Sequence, residues 1–219
     1  MAPPRSSSRE LPVVGQRPAE RADAARNRRK ILQAAARFVA ENGPEQLSLD
    51  EVAGAAHVGV GTVYRRFGDR AGLVQALLDD QEKRFQEAFM QGPPPLGPGA
   101  SAAARIRAFL HALARRTDEE ANLMLLTEAA SPEARYGNGP YPLHCLHLAT
   151  LLAQVLPEAH THYLAHALLS PLRASLIIYQ RRYEGLTMEE ITSGLDDLLA
   201  GTGIPLDRPA ETDGGPDSE

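Results

Sequence analysis

The chain holds a single cysteine, Cys145, in 219 residues, which excludes an intrachain disulfide framework and fits a reducing compartment. No apolar run approaches the length that crosses a bilayer, and residues 1 to 10 lack the apolar core of a signal peptide. The expectation is therefore a cytoplasmic protein with no membrane partner. No stretch alternates apolar and polar residues as a half-buried strand would, and no segment repeats. Catalytic signatures are missing as well. There is no Gly-x-Ser-x-Gly elbow, and Gly59-Val-Gly61 follows a helical pattern and lacks a third glycine, so it is no dinucleotide fingerprint. Asp79-Asp80 and Asp196-Asp197 are adjacent on helical segments, where neighbours diverge, and read as solvated faces rather than catalytic pairs. No cofactor is implied.

What is present is unevenly spread. The net charge of −5 hides twelve basic against eight acidic residues in positions 1 to 70, and eleven against twenty in the remainder. A basic end on an acidic chain is expected to face DNA. Much of the positive charge lies in Arg21, Arg26, Arg28, Arg29 and Lys30, with Arg5, Arg9 and Arg17 ahead of them. Residues 1 to 20, rich in Pro, Ser and Arg, read as a disordered basic arm in the free protein, which can still settle on phosphates or in a minor groove.

Between Ser48 and Phe67 the pattern is two short helices joined by a tight turn. Ser48 and Glu51 have the spacing of a capping box that would open the first. Leu49, Val52, Ala53 and Ala56 then form one apolar face, so this helix packs rather than reads. His57-Val58-Gly59 is a sharp turn, with Gly59 expected to take the conformation a larger residue resists. In the second helix Val60, Val63 and Phe67 share the inward side, which turns Thr62, Arg65 and Arg66, with Tyr64 at the border, toward a ligand. Gly61 leaves a bare spot for a DNA backbone or base edge. Gly68 ends the helix, Asp69 is the expected N-cap of the next, and Arg70 stands in its first turn. A cation there opposes the helix dipole, a placement explained by a phosphate arriving beside it.

The run Ile31-Leu-Gln-Ala-Ala-Ala-Arg-Phe-Val-Ala-Glu-Asn-Gly43, with Leu47-Ser-Leu-Asp-Glu-Val-Ala53, Val58-Gly-Val-Gly-Thr-Val-Tyr-Arg-Arg-Phe67 and Arg70-Ala-Gly-Leu73, resembles the DNA-binding domain of TetR-type transcriptional regulators over about fifty residues. The resemblance implies that Thr62, Tyr64 and Arg70 hold the operator backbone while Val60, Gly61 and Arg65 lie nearest the bases. Ser48 and Arg66 complete the expected DNA-binding set. Gly59 stands where the family often has Ser, which weakens that N-cap, and Arg70 where it often has Lys, which keeps the charge.

The first helix is expected from about Asp23 to Asn42, with Ile31, Ala35, Phe38 and Val39 inward and Gly43-Pro44 ending it. A long helix from Arg70 to about Met90 is the natural connector between domains, and the proline-rich residues 91 to 100 form a boundary loop. Helices are then expected over 102 to 117, 120 to 130, 143 to 156, 159 to 183 and 188 to 199, with a loop at 131 to 142 and a frayed tail from Gly201. The last helix opens on a second capping box, Thr187 to Glu190, and Pro171 should kink or unwind the one before it. The expected fold is all-α: a helix-turn-helix domain at 21 to 70 and a larger helical bundle at 71 to 200.

The segment from Leu164 to Tyr179 is apolar on more than one face, which asks for two partners, its own core and either more core or a second copy of the chain. Helix-turn-helix modules bind paired half-sites through two-fold dimers, and in TetR-like proteins the last two long helices form the interface. Leu168, Leu172, Leu176, Tyr179, Ile191, Leu195 and Leu198 are the expected dimer surface. The resemblance also implies a small-molecule effector in the second domain that acts through the fourth helix. Its pocket is expected among Phe89, Phe109, Leu113, Met124, Glu128, His147 and Ser175, with ordinary core packing as the competing account of each. His144, Cys145 and His147 cluster, and His162 and His166 stand one turn apart, but no third ligand is demonstrable in sequence and no metal site is assigned.

Together these features describe a homodimeric, ligand-responsive repressor on a palindromic double-stranded operator, with a hydrophobic effector of unknown identity. Two alternatives stay open: a DNA-binding regulator answering to a protein partner or to no ligand, and an enzyme or carrier with an incidental helix-turn-helix.

Overall fold

Gly43 lies in the left-handed region, at φ 82°, where the lack of a Cβ lets it close the first helix before Pro44 opens a short 3-10 turn. The structure, a computed structural model, describes residues 17 to 128, 136 and 139 to 204, the side chains of 17 to 22 and 126 to 128 excepted. These residues form nine α-helices and no strand. The helices are α1 (Arg17–Asn42), α2 (Leu49–Ala56), α3 (Val60–Phe67), α4 (Arg70–Gln91), α5 (Ala102–Glu128), α6 (Tyr141–Val155), α7 (Thr161–Leu169), α8 (Ala174–Arg182) and α9 (Met188–Gly201). The chain divides into two compact units between Leu73 and Val74, within α4.

The first unit has an aliphatic core. Ile31, Leu32, Ala34 and Ala35 of α1 are buried with Leu47, with Leu49, Val52, Ala53 and Ala56 of α2, and with Val63 of α3. The helix α1 begins at Arg17, earlier than the expected Asp23, so the helix takes in the last residues of the expected arm; residues 1 to 16 lie outside the described residues. The turn between α2 and α3 corrects the reading of Gly59, whose φ of −65° is ordinary. The left-handed residue is His57, at φ 54°, ψ 46°. Its N–H donates to the Gly54 carbonyl at 3.1 Å while that of Val58 donates to Ala53 at 3.0 Å, the double closure of a Schellman motif with histidine where glycine is usual. The Ser48–Glu51 capping box does not form either: Ser48 stands at the N-cap with no side-chain cap bond.

The second unit is built around aromatic rings. Phe85 and Phe89 of α4 and Phe109 of α5 stand 5.1 to 5.3 Å apart in edge and tilted contacts, within a core that α6 to α9 complete with Leu148, Leu152, Leu169, Ile177 and Leu199. The helix α5 runs unbroken where two helices were expected on either side of Thr117-Asp-Glu-Glu120. Two of those polar residues find partners without leaving the helix: Glu120 accepts from Arg116 at 3.1 Å, and Asp118 from Arg181 of α8 at 3.3 Å. The helix expected at 159 to 183 is unwound at Pro171, one of the two outcomes expected there, and so divides into α7 and α8. Pro171 supplies no N–H, the chain makes a 3-10 turn at Ser170–Leu172, and Arg173 is extended before α8 starts. The capping box on α9 does form, with Glu190 N–H to Thr187 Oγ1 at 3.1 Å and Thr187 N–H to Glu190 Oε2 at 2.7 Å. Residues 92 to 101 join α4 to α5 inside this unit, and the described part of the expected 131–142 loop begins only at Gly139, apart from Tyr136.

Candidate nucleic-acid interface

The helix α3 spends one face on the core and leaves the other bare. Val63 is fully buried and Phe67 half-buried, whereas Gly61, Tyr64, Arg65 and Arg66 are exposed and Thr62 is half-exposed. Val60, expected to point inward, is 44% exposed, so the whole first turn of the helix is open. A Cβ on Gly61 would meet no atom within 4 Å, which leaves its backbone approachable. Ser48, at the N-cap of α2, is half-exposed, and its side-chain oxygen makes no cap bond.

Two of the arginines are held in place by the domain itself. Arg66 Nη1 donates to the Ala24 carbonyl of α1 at 2.6 Å, and Arg70 Nη2 to the Pro44 carbonyl at 2.7 Å. A guanidinium has five N–H donors, so each keeps most of its capacity for an oxyanion after one bond to a carbonyl. The start of α4 is fixed by Asp69, whose Oδ1 accepts from the Gly72 N–H at 2.8 Å. Gly72 has a second role that sequence reasoning missed. A Cβ there would sit 2.0 Å from the Phe67 carbonyl oxygen, so only glycine lets α4 leave the end of α3 this closely.

Residues 31–77 match the family described as bacterial regulatory proteins, tetR family. Over those residues the chain is similar to a TetR-family DNA-binding domain. An HTH-type transcriptional regulator of Staphylococcus aureus is 32% identical over 71 residues, 32% of this chain and 38% of that protein. The DNA-binding transcriptional repressor TetR of Mycobacteroides abscessus is 33% identical over 57 residues, 26% of this chain and 30% of that protein. The chain thus spans only about a third of these relatives' length. The fold likeness extends further: a TetR-family transcriptional regulator from Rhodococcus sp. superposes at a TM-score of 0.58, with 22% identity, 82% of this chain covered and 98% of the other. The fatty acid degradation regulator FadR from Bacillus halodurans superposes at 0.59, with 17% identity, 79% covered and 94% of the other. The all-α architecture expected from sequence is the TetR-like one.

In the second unit of this TetR-like chain the residues expected to line a pocket divide. Phe89, Phe109 and Leu113 are buried in the common core. His147 joins them, its ring 4.5 Å from Phe89 and 5.0 Å from Phe109, with Nε2 buried and without a hydrogen-bond partner. Burial, then the neighbouring charges of Arg105 and His144, push its pKa down to about 4, so the ring is neutral near pH 7. Met124 is half-buried. Ser175 is exposed on α8, which corrects its assignment to the interior, and the Glu128 side chain lies outside the described residues.

The expected dimer surface divides in the same way. Leu168, Leu172, Ile191 and Leu195 are buried in this unit's own core, a correction, because side chains already removed from water offer nothing to a partner. Leu176, Tyr179 and Leu198 are exposed, and Tyr183 stacks on Tyr179 at 5.7 Å.

Sequence reasoning also missed a buried ionic network. Arg116 donates to Glu82 and to Glu120, and Glu82 Oε1 lies 3.0 Å from His144 Nε2. Burial alone would raise the Glu82 carboxyl, but the hydrogen bonds and charges of His144 and Arg116 outweigh it and hold the pKa at about 2. Asp196, expected to be solvated, instead accepts from Arg107 at 2.8 and 2.7 Å and lies 2.8 Å from His111 Nε2. The signal that finds such pairs is tertiary, since their members are up to 89 residues apart in sequence.

Proposed function

We propose that this protein is a DNA-binding transcriptional regulator that acts as a homodimer in the cytoplasm, represses from a palindromic operator and is released by a small-molecule effector. The observation that carries the reading is the exposed face of α3, with Thr62, Tyr64 and Arg65 over a buried Val63 and with Arg66 and Arg70 tethered beside them. A hydroxyl, a phenol and three guanidinium groups on one short helix and its flank are donors suited to phosphate oxygens and base edges. Thr62, Tyr64, Arg70 and Ser48 are assigned to the backbone, and Val60, Gly61 and Arg65 to the bases.

The dimer reading rests on Leu176 and Tyr179, which share one stripe of α8, on Tyr183 at its C-cap, and on Leu198 of α9, all apolar or aromatic and all exposed. The effector reading rests on the second unit, where His147 presents an unpartnered nitrogen among aromatic rings. An effector releases DNA only if it binds the DNA-incompetent arrangement better.

The test is a selection of genomic duplexes bound by the full chain, with salt titration of binding to the enriched duplex and to a scrambled one. Wild type should prefer the enriched duplex with a steep salt slope. Tyr64→Phe and Arg70→Ala should weaken both, with Arg70→Ala lowering the slope by about one unit. Wild-type affinity in both variants, with helical content intact, would place the interface elsewhere, and sedimentation as a monomer with and without DNA would remove the dimer.

A further inference from the structure

The fold brings together three metal-ligating side chains that sequence reasoning left as separate fragments. Cys145 comes from α6, His162 and His166 from successive turns of α7, and one donor atom from each lies within 4.8 Å of the other two. Cys145 Sγ is 3.6 Å from His166 Nε2. We propose that Cys145, His162 and His166 form a binding site for a divalent transition-metal ion of the zinc type, with a fourth position open to solvent or to an incoming ligand.

Geometry and donor chemistry agree. Bond lengths of about 2.3 Å to sulfur and about 2.0 Å to nitrogen at a tetrahedral angle place the two donors about 3.5 Å apart, close to the separation found. One thiolate and two imidazoles suit zinc and its neighbours, whereas magnesium and calcium require oxygen ligands. The other nitrogen of His166 is already engaged: Nδ1 lies 2.7 Å from the Tyr141 hydroxyl. When Nδ1–H donates to that oxygen, the Nε2 lone pair is turned toward Cys145, which is how an outer partner fixes the tautomer of a ligating histidine.

The site is also reachable. Cys145 is buried, His166 half-buried and His162 exposed, so the three donors descend from solvent to core. His162 and His166 line an open concavity of about 740 Å³ together with Ala159, His160, Thr161 and Tyr163. A hydrogen bond between thiol and imidazole accounts for the Cys145–His166 pair alone. It gives no reason for a second imidazole, that of His162, to stand with its ring 4.9 Å from that of His166 and a nitrogen within reach of the same point. An ion would tie α6 to α7, and the site lies wholly in the second unit, apart from the DNA-facing helix.

Cobalt(II) titration of the reduced, chelator-stripped full chain is the direct test, and it needs no DNA. Since Cys145 is the sole cysteine, any thiolate-to-cobalt charge-transfer band reports this site. The expected result is one equivalent bound, a charge-transfer band, visible bands of four-coordinate intensity, and displacement by zinc(II). Cys145→Ser should abolish the charge-transfer band. His162→Ala, an exposed position where substitution leaves the core intact, should weaken binding by more than the roughly 10- to 100-fold expected of an outer-partner loss, and Tyr141→Phe by about tenfold. Cobalt bound without a charge-transfer band, no binding by the wild-type chain, or wild-type affinity in His162→Ala would each overturn the proposal.

Discussion

The two units handle polar groups in opposite ways. In the first, burial is confined to Leu, Ile, Val, Ala and proline among the described side chains, and the polar residues of α3 and its flanks face outward. In the second, every charged side chain that the described structure buries is drawn into a pair, as in the Glu82–Arg116–Glu120–His144 network. An outward polar face over an aliphatic core leaves those side chains free for the proposed contact with DNA. Paired charges inside an aromatic core are a load that the unit must satisfy internally, because a buried ion without its partner costs more than the pair ever contributes.

Removing the centre of that network should show the contrast most strongly. Arg116→Ala leaves Glu82 and Glu120 buried without their cation and removes a guanidinium 5.4 Å from the Phe85 ring. The expected loss is about 3–5 kcal/mol. Hydrogen exchange should show α5 and α6 opening while α2 and α3 of the first unit keep their protection. Equal loss in both units would mean that the chain unfolds as one body.

Acid should act on the second unit next. A carboxyl with a lowered pKa stabilises the fold above its unfolded value and loses that contribution as pH falls through the folded one. For Glu82 this window runs from an ordinary 4.5 to about 2, with about 3 kcal/mol at stake. An imidazole with a lowered pKa takes up its proton more readily unfolded, so His147 adds a loss as pH falls from 6.5 to about 4. Urea midpoints should therefore decline below pH 6.5 and more steeply below 4.5. His147→Gln should remove the upper part of that decline. A midpoint flat from pH 6.5 to 4.5 would contradict the burial of His147, and one flat from 4.5 to 2 the pairing of Glu82 with His144 and Arg116.

On the first unit the expected effect is on specificity. Arg65→Ala should lose about 1–3 kcal/mol of discrimination between operator and scrambled duplex with little change in stability, since the side chain is exposed. Competition binding at fixed salt reads the difference, and discrimination equal to wild type would remove Arg65 from the bases.

The smallest effects compare two identical-looking caps. Thr187→Ala should cost about 1 kcal/mol, because both reciprocal bonds to Glu190 are made. Ser48→Ala should cost less than about 0.5 kcal/mol, since no side-chain cap bond is lost. Thermal midpoints of the two variants distinguish them, and equal losses would show that the Ser48 cap forms in solution.

Local spacing was enough to locate α2, α3 and the polar face of α3, because an eight-residue helix with one buried stripe leaves its remaining residues nowhere but outside. The α9 capping box was legible for the same reason, its bonds spanning three residues. Where two local options compete, the sequence misplaced the outcome: the turn put its left-handed residue at His57 rather than Gly59, and the polar run at 117 to 120 stayed helical. The tertiary structure alone decided that Leu168, Leu172, Ile191 and Leu195 are core, that Asp196 is paired with Arg107 and His111, and that Cys145 meets His162 and His166. The physical reason is separation along the chain. Caps, turns and apolar stripes are short-range and written in neighbouring residues, whereas the partner of a buried charge or ligand is chosen only when distant helices pack.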